Sequence, residues 1–79
     1  MTLTSEIELP RKPSLSHHLR NARINRGLSV ADVAERVGVT APCVYFWEMG
    51  RTKPREANLN TLCKVLKLPL RATRAIATG

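Results

Sequence analysis

Seventy-nine residues make one domain at most, and a folded chain of that size buries only about 60% of the surface its unfolded form exposes, which argues against a large enzyme fold with an enclosed cavity. Thirteen Lys and Arg stand against six Asp and Glu, a net charge of +7. In so short a chain that excess points to a polyanionic partner, nucleic acid first and an anionic membrane surface second, with a basic surface kept for solubility as the bland alternative.

Two cysteines, Cys43 and Cys63, are too few for a disulfide framework. With no secretory signal ahead of them, a reducing cytoplasmic location is the expectation. Those cysteines and the adjacent His17 and His18 lack the paired spacing of metal ligands, so no metal and no other cofactor is expected. No apolar run approaches the roughly 18 residues a membrane span needs.

Residues 1–14 mix Thr, Ser and Glu with Pro10 and Pro13 and carry no apolar period, which reads as a flexible arm ahead of a domain at 15–79. Arg11 and Lys12 fit either a basic arm that touches nucleic acid or a frayed terminus. From Ser14 or Ser16 the pattern turns helical. Leu15, Leu19 and Ala22 fall at steps of four and three, and Gly27 ends the run, predicting a helix over about 16–26. Ser29 and Asp32 fit a capping box, in which the Ser oxygen and the carboxylate three residues on take each other's free backbone N–H groups. A short second helix follows with Val33, Ala34 and Val37 inward, ending at Gly38.

Thr40 is the next cap candidate, with Pro42 in a first turn where its missing N–H costs nothing. Because a residue before proline is pushed out of the helical region, Ala41 is the alternative cap. The third helix runs to about Met49, with Val44 and Trp47 inward and Gly50 at its end. Arg51 to Ala57 reads as a basic loop containing Pro54. Leu59, Leu62, Val65 and Leu66 predict a fourth helix, and after Pro69 a short fifth uses Leu70, Thr73 and Ile76. The expected class is all-α, a bundle of four to five helices.

Two short helices separated by Gly38-Val39 are the sequence image of a helix-turn-helix, whose second helix projects into the DNA major groove while the first braces it. Around them stand Arg23, Gly27-Leu28-Ser29, Val33-Ala34, Gly38-Val39-Thr40, Val44, Trp47-Glu48 and Gly50. In these residues and their order the chain resembles the Cro and lambda-repressor family, also called the XRE family, over about residues 15–70. The resemblance implies a compact lambda-repressor-like domain, double-stranded DNA as partner, and binding as a homodimer to a palindromic operator. Small proteins of this design are typical of phages and plasmids.

Residue by residue, the resemblance implies a small Ala34 where two helices approach and Gly38 where the turn needs a positive φ, so that a bulky residue at either position unfolds the motif. It pairs Arg23 with Glu48 as a structural ion pair. The outer face of the third helix departs from the family's usual Gln, Ser, Arg or Lys and holds Ala41, Pro42, Tyr45 and Phe46 instead. These are the candidates for base readout by contact with thymine methyl groups; core or dimer packing of Tyr45 and Phe46 is the alternative. Val30 stands where the family often has Gln, leaving Ser29 and the N–H groups of the second helix, with Thr40, for phosphates. Arg51, Lys53 and Arg55 match the family's phosphate-contacting loop.

A dimer surface is expected in the C-terminal segment through Leu68, Leu70 and Ile76, which equally well close the core. The leading expectation is a transcriptional regulator, more specifically a repressor, since few residues are left for an inducer-binding or activating domain and no small-molecule ligand is expected. The alternative is a protein-interaction module on the same fold, such as an antitoxin or bridging factor. Catalysis is not expected: Asp32, Glu35 and Glu48 have cap, surface and ion-pair readings, and no nucleophile and base are brought together.

Overall fold

Helix starts and stops in this chain are decided by local chemistry. In the computed structural model, which describes residues 14–78, five helices follow one another: α1 Leu15–Asn25, α2 Val30–Val37, α3 Ala41–Met49, α4 Glu56–Leu66 and α5 Leu70–Thr78. No strand occurs among the described residues. The stretch ahead of Ser14, with Arg11 and Lys12, lies outside them.

Ser14 rather than Ser16 caps α1, its Oγ accepting from the His17 N–H at 3.2 Å. The helix therefore begins and ends one residue earlier than its spacing predicts. At the far end Leu28 N–H donates to the Arg23 carbonyl at 3.1 Å across Gly27 at φ 69°, a closure that satisfies carbonyls the helix leaves open. The capping box of α2 is present in both halves: Ser29 Oγ accepts from Asp32 N–H and Asp32 Oδ2 from Ser29 N–H, each at 2.9 Å.

Gly38 ends α2 at φ 91°. A β-carbon built there would meet no atom within 4 Å, so the position demands glycine for its backbone angle and not for space. The positive φ expected of this residue is present, and any side chain placed there meets backbone strain rather than a steric clash.

At α3 the cap is Thr40, and Ala41 is the first helical residue although proline follows. Pro42 sits second, where its missing N–H is one the helix could not have bonded internally, so only the steric bias on a small neighbour opposes the arrangement. Thr40 caps through its backbone alone; its carbonyl accepts from Cys43 at 3.0 Å while its hydroxyl makes no cap bond. The basic loop is shorter than expected, because Arg55 already caps α4 and Glu56 is helical.

The core is one cluster. Leu15 and Leu19 of α1, Val33 and Ala34 of α2, Val44 and Trp47 of α3, and Leu59, Leu62 and Leu66 of α4 are buried together. Helix α3 lies against α1 and α2, α4 packs on α2, and α5 closes over α1 and α4. One buried position goes beyond the predicted core, Cys63; Thr73 of α5, expected on the inner face, is 0% exposed and shares a 3.2 Å hydrogen bond with His18 Nε2. Leu68 and Ile76 pack half-buried against the same cluster.

Candidate nucleic-acid interface

One side of α3 is used up by the core, which defines what the other side presents. Val44 and Trp47 point inward. Pro42, Tyr45, Phe46 and Met49 fall at i, i+3, i+4 and i+7, a single stripe along a helix, and all four are exposed. The exposure is large for such side chains: 53% for Tyr45, 41% for Phe46 and 51% for Met49. Ala41 is half-buried against the core cluster, beside the stripe rather than on it. Met49 went unnoticed in the sequence, although its place one turn beyond Tyr45 was the signal.

The only ionic side chain of α3 is withdrawn from this surface. Arg23 Nε donates to Glu48 Oε2 at 2.7 Å and Arg23 Nη2 to Glu48 Oε1 at 3.0 Å, a bidentate pair. The Arg23 Nη1 donates onward to the Leu28 carbonyl at 2.8 Å. The side chains are 15% and 7% exposed. One guanidinium thus ties α1, the turn after it and α3 together, which sets the angle at which α3 stands out of the molecule.

Beside this clasp a shallow open groove is lined by Arg20, Arg23, Val30, Tyr45, Glu48 and Met49. Arg20 brings a cation to its edge and forms no ion pair among the described residues. Nothing in the sequence singled out Arg20, since a lone base on a helix reads as solvated surface; its place one turn before Arg23 is visible only once α1 is seen against α3.

The start of α2 offers less to an anion than its residues promised. The N–H groups of Ser29 and Asp32 are spent on each other's side chains, leaving those of Val30 and Ala31 and the Ser29 hydroxyl proton. The Ser29 backbone N–H first, then the Ser29 side chain and the nearby Arg36, hold the Asp32 carboxyl below its ordinary 3.8, so a negative charge stands at this end at neutral pH. Thr40 keeps a free, exposed hydroxyl at the start of α3.

After α3, Arg51, Lys53 and Arg55 are all exposed. They do not form one row: Lys53 Nζ donates to the Ala77 carbonyl near the end of α5 at 3.3 Å, and Arg55 is the cap of α4. Arg51 follows directly on α3, its N–H bonded to the Phe46 carbonyl at 2.9 Å. Among the described residues no group of His, Cys, Asp and Glu is arranged to hold a metal ion, and both cysteines are free thiols. No described helix is long and apolar enough to cross a membrane.

The sequence profile of the helix-turn-helix domain family matches residues 14–76, and the chain belongs to that family. Its fold is that of repressor-type helix-turn-helix domains. The DNA-binding domain of the P22 c2 repressor superposes with a TM-score of 0.77 at 23% identity, over 82% of this chain and 86% of that one. The clp gene regulator ClgR of Corynebacterium glutamicum gives 0.73 at 23% identity, over 87% and 78%. The restriction-modification controller protein C.AhdI of Aeromonas hydrophila gives 0.70 at 25% identity, over 75% and 89%. No curated protein matches the chain as a relative.

Proposed function

We propose that the chain is a sequence-specific regulator of transcription, a repressor that grips double-stranded DNA with α3 in the major groove and reads a palindromic operator as a homodimer. The observation that carries this is the unpartnered outer face of α3, tied to the rest of the molecule by the Arg23–Glu48 clasp and accompanied by two exposed bases, Arg20 in the groove beside Tyr45 and Met49 and Arg51 directly after the helix. The named functions of the structural neighbours, a repressor, a gene regulator and a controller protein, support the same reading.

In this reading Pro42, Tyr45 and Phe46 touch base edges, with Ala41 close to the backbone at the start of the helix. Arg51, Lys53, Arg55 and Arg20, with the hydroxyls of Ser29 and Thr40, take phosphates, which supply affinity without sequence information. The protein acts in the cytoplasm, where such an operator is accessible. One α3 in one groove reads too few base pairs for specificity, so two copies bind half-sites about 34 Å apart. In this reading the two copies meet through the C-terminal segment. Leu70 is half-buried on a shallow groove shared with Leu68, Asn60, Cys63 and Lys64, and Ile76 follows on α5.

Selection of bound duplexes from a random pool tests the proposal. A palindrome with half-sites one turn apart supports it, and no enriched sequence overturns it. Sedimentation of the free protein decides the preformed dimer: a monomer that still binds its operator tightly removes that part.

A further inference from the structure

The direct reading of bases in the major groove uses few chemistries: Arg or Lys for guanine, Asn or Gln for adenine, a carboxylate for the cytosine amino group, and apolar contact for the thymine methyl. The outer face of α3 lacks the first three. Between Thr40 and Gly50 there is no Lys, Arg, Asn, Gln or Asp, and both oxygens of Glu48 are held by Arg23. What remains exposed is the Pro42 ring, the Tyr45 and Phe46 rings and the Met49 thioether. Only one group that base pairs display in that groove is apolar, the methyl carbon on pyrimidine C5.

We propose that this stripe recognises the C5-methyl group itself, so that 5-methylcytosine serves in place of thymine at the contacted positions and cytosine methylation regulates binding. The proposal rests on the DNA-binding reading above and specifies which feature of the duplex is read. The two bases carry their methyl at the same ring carbon, facing the same groove. They differ beside it, where thymine has a carbonyl oxygen and methylcytosine an amino group. The single polar group on the stripe, the Tyr45 hydroxyl, both donates and accepts, so it satisfies either. Met49, with its flexible unbranched chain, adapts to the methyl of either base pair. The basic rim of Arg20 and Arg51 matches a polyanion rather than an apolar protein face.

The test uses the full chain and the duplex enriched from a random pool, with dissociation constants read by fluorescence anisotropy. Each thymine of the site is replaced by uracil; in a second series, one contacted T·A pair is replaced by C·G with and without a 5-methyl group on the cytosine. Expected are a loss of about fourfold per contacted thymine turned to uracil, the factor that burial of one methyl-sized group supplies, and a gain of about the same factor when the cytosine is methylated. Phe46→Ala and Met49→Ala, checked for folding by the emission of the buried Trp47, bring the methyl factor towards one at the positions they touch and leave the salt dependence unchanged. Equal binding of thymine and uracil duplexes, or of methylated and unmethylated cytosine, while sequence-specific binding persists, overturns this proposal and leaves the DNA-binding reading standing. If no duplex is enriched, or if Tyr45→Ala alters self-association and not duplex binding, both fall.

Discussion

Glu48 shows how much a single side chain decides here. Its carboxylate is 7% exposed and both oxygens are bonded to Arg23, so Glu48→Gln strands a guanidinium that is itself only 15% exposed. A loss of about 3 kcal/mol is expected in urea unfolding followed by Trp47 emission, the low end for a broken buried pair because Arg23 keeps its bond to Leu28. Replacing both partners together, Arg23→Met with Glu48→Leu, restores most of that stability, since the unpaired charge is gone. Gly38→Ala costs about 1–2 kcal/mol through its backbone angle alone. Ala34→Leu, in the core between α2 and its neighbours, costs more, about 1–3 kcal/mol through overpacking.

Asp32 carries the pH dependence at this scale. Its carboxyl titrates below 3.8 in the folded protein, so the stability it adds is present above that value and is lost as pH falls through the folded midpoint. A carboxyl titration by NMR checks this; Ser29→Ala, which keeps the backbone N–H that is the largest cause, brings the midpoint only part of the way back towards the ordinary value. Residues of this kind differ sharply in legibility. Ser29 and Asp32 were readable because a capping box is chemistry within four residues. Arg23 and Glu48 lie 25 apart, and no periodicity relates them; they were paired only through a family resemblance.

Among the elements, α1 to α3 were legible to within a residue, because Ser14, Ser29 and the Thr40-Ala41-Pro42 start, with left-handed glycines after each helix, mark their ends. The start of α4 was not. Arg55 caps it without a side-chain hydrogen bond, so the helix begins several residues before its first core leucine, Leu59. Helix α5 was placed correctly by its apolar spacing, yet its most buried residue is the polar Thr73, whose role depends on His18 of α1. This helix is held by less apolar surface than the others. Only Thr73 is fully buried along it, with Leu70, Ile76 and Ala77 half-buried and the Arg74–Glu56 and Lys53–Ala77 contacts exposed. Hydrogen exchange is therefore expected to show α5 amides opening well before those of α2 to α4. Thr73→Val, which leaves His18 Nε2 without its partner, accelerates α5 exchange at a cost of about 1 kcal/mol.

At the scale of the whole molecule, the net charge of +7 divides into distinct uses. Arg23 is internal, Arg74 is paired with Glu56, and Lys53 reaches to α5. Arg20, Arg51 and Arg55, and Lys53 itself despite that contact, are exposed around α3 and the loop after it. If these carry phosphates, Arg51→Ala and Arg20→Ala each lower the slope of log affinity against log salt by about 0.9, without changing which sequence is preferred. An unchanged slope for either variant removes that residue from the interface. The total charge was legible from composition; its division was not, because it depends on which bases the fold pairs with acids and carbonyls.

The three-way clasp of Arg23 also fixes the thermodynamic character of association. With α3 already tied to α1 and to the intervening turn, docking has no helix to fold and little backbone entropy to lose. If α3 docks on DNA as proposed, calorimetry on a selected duplex gives a negative heat-capacity change no larger than burial of the α3 stripe accounts for, without the much larger value that coupled folding produces.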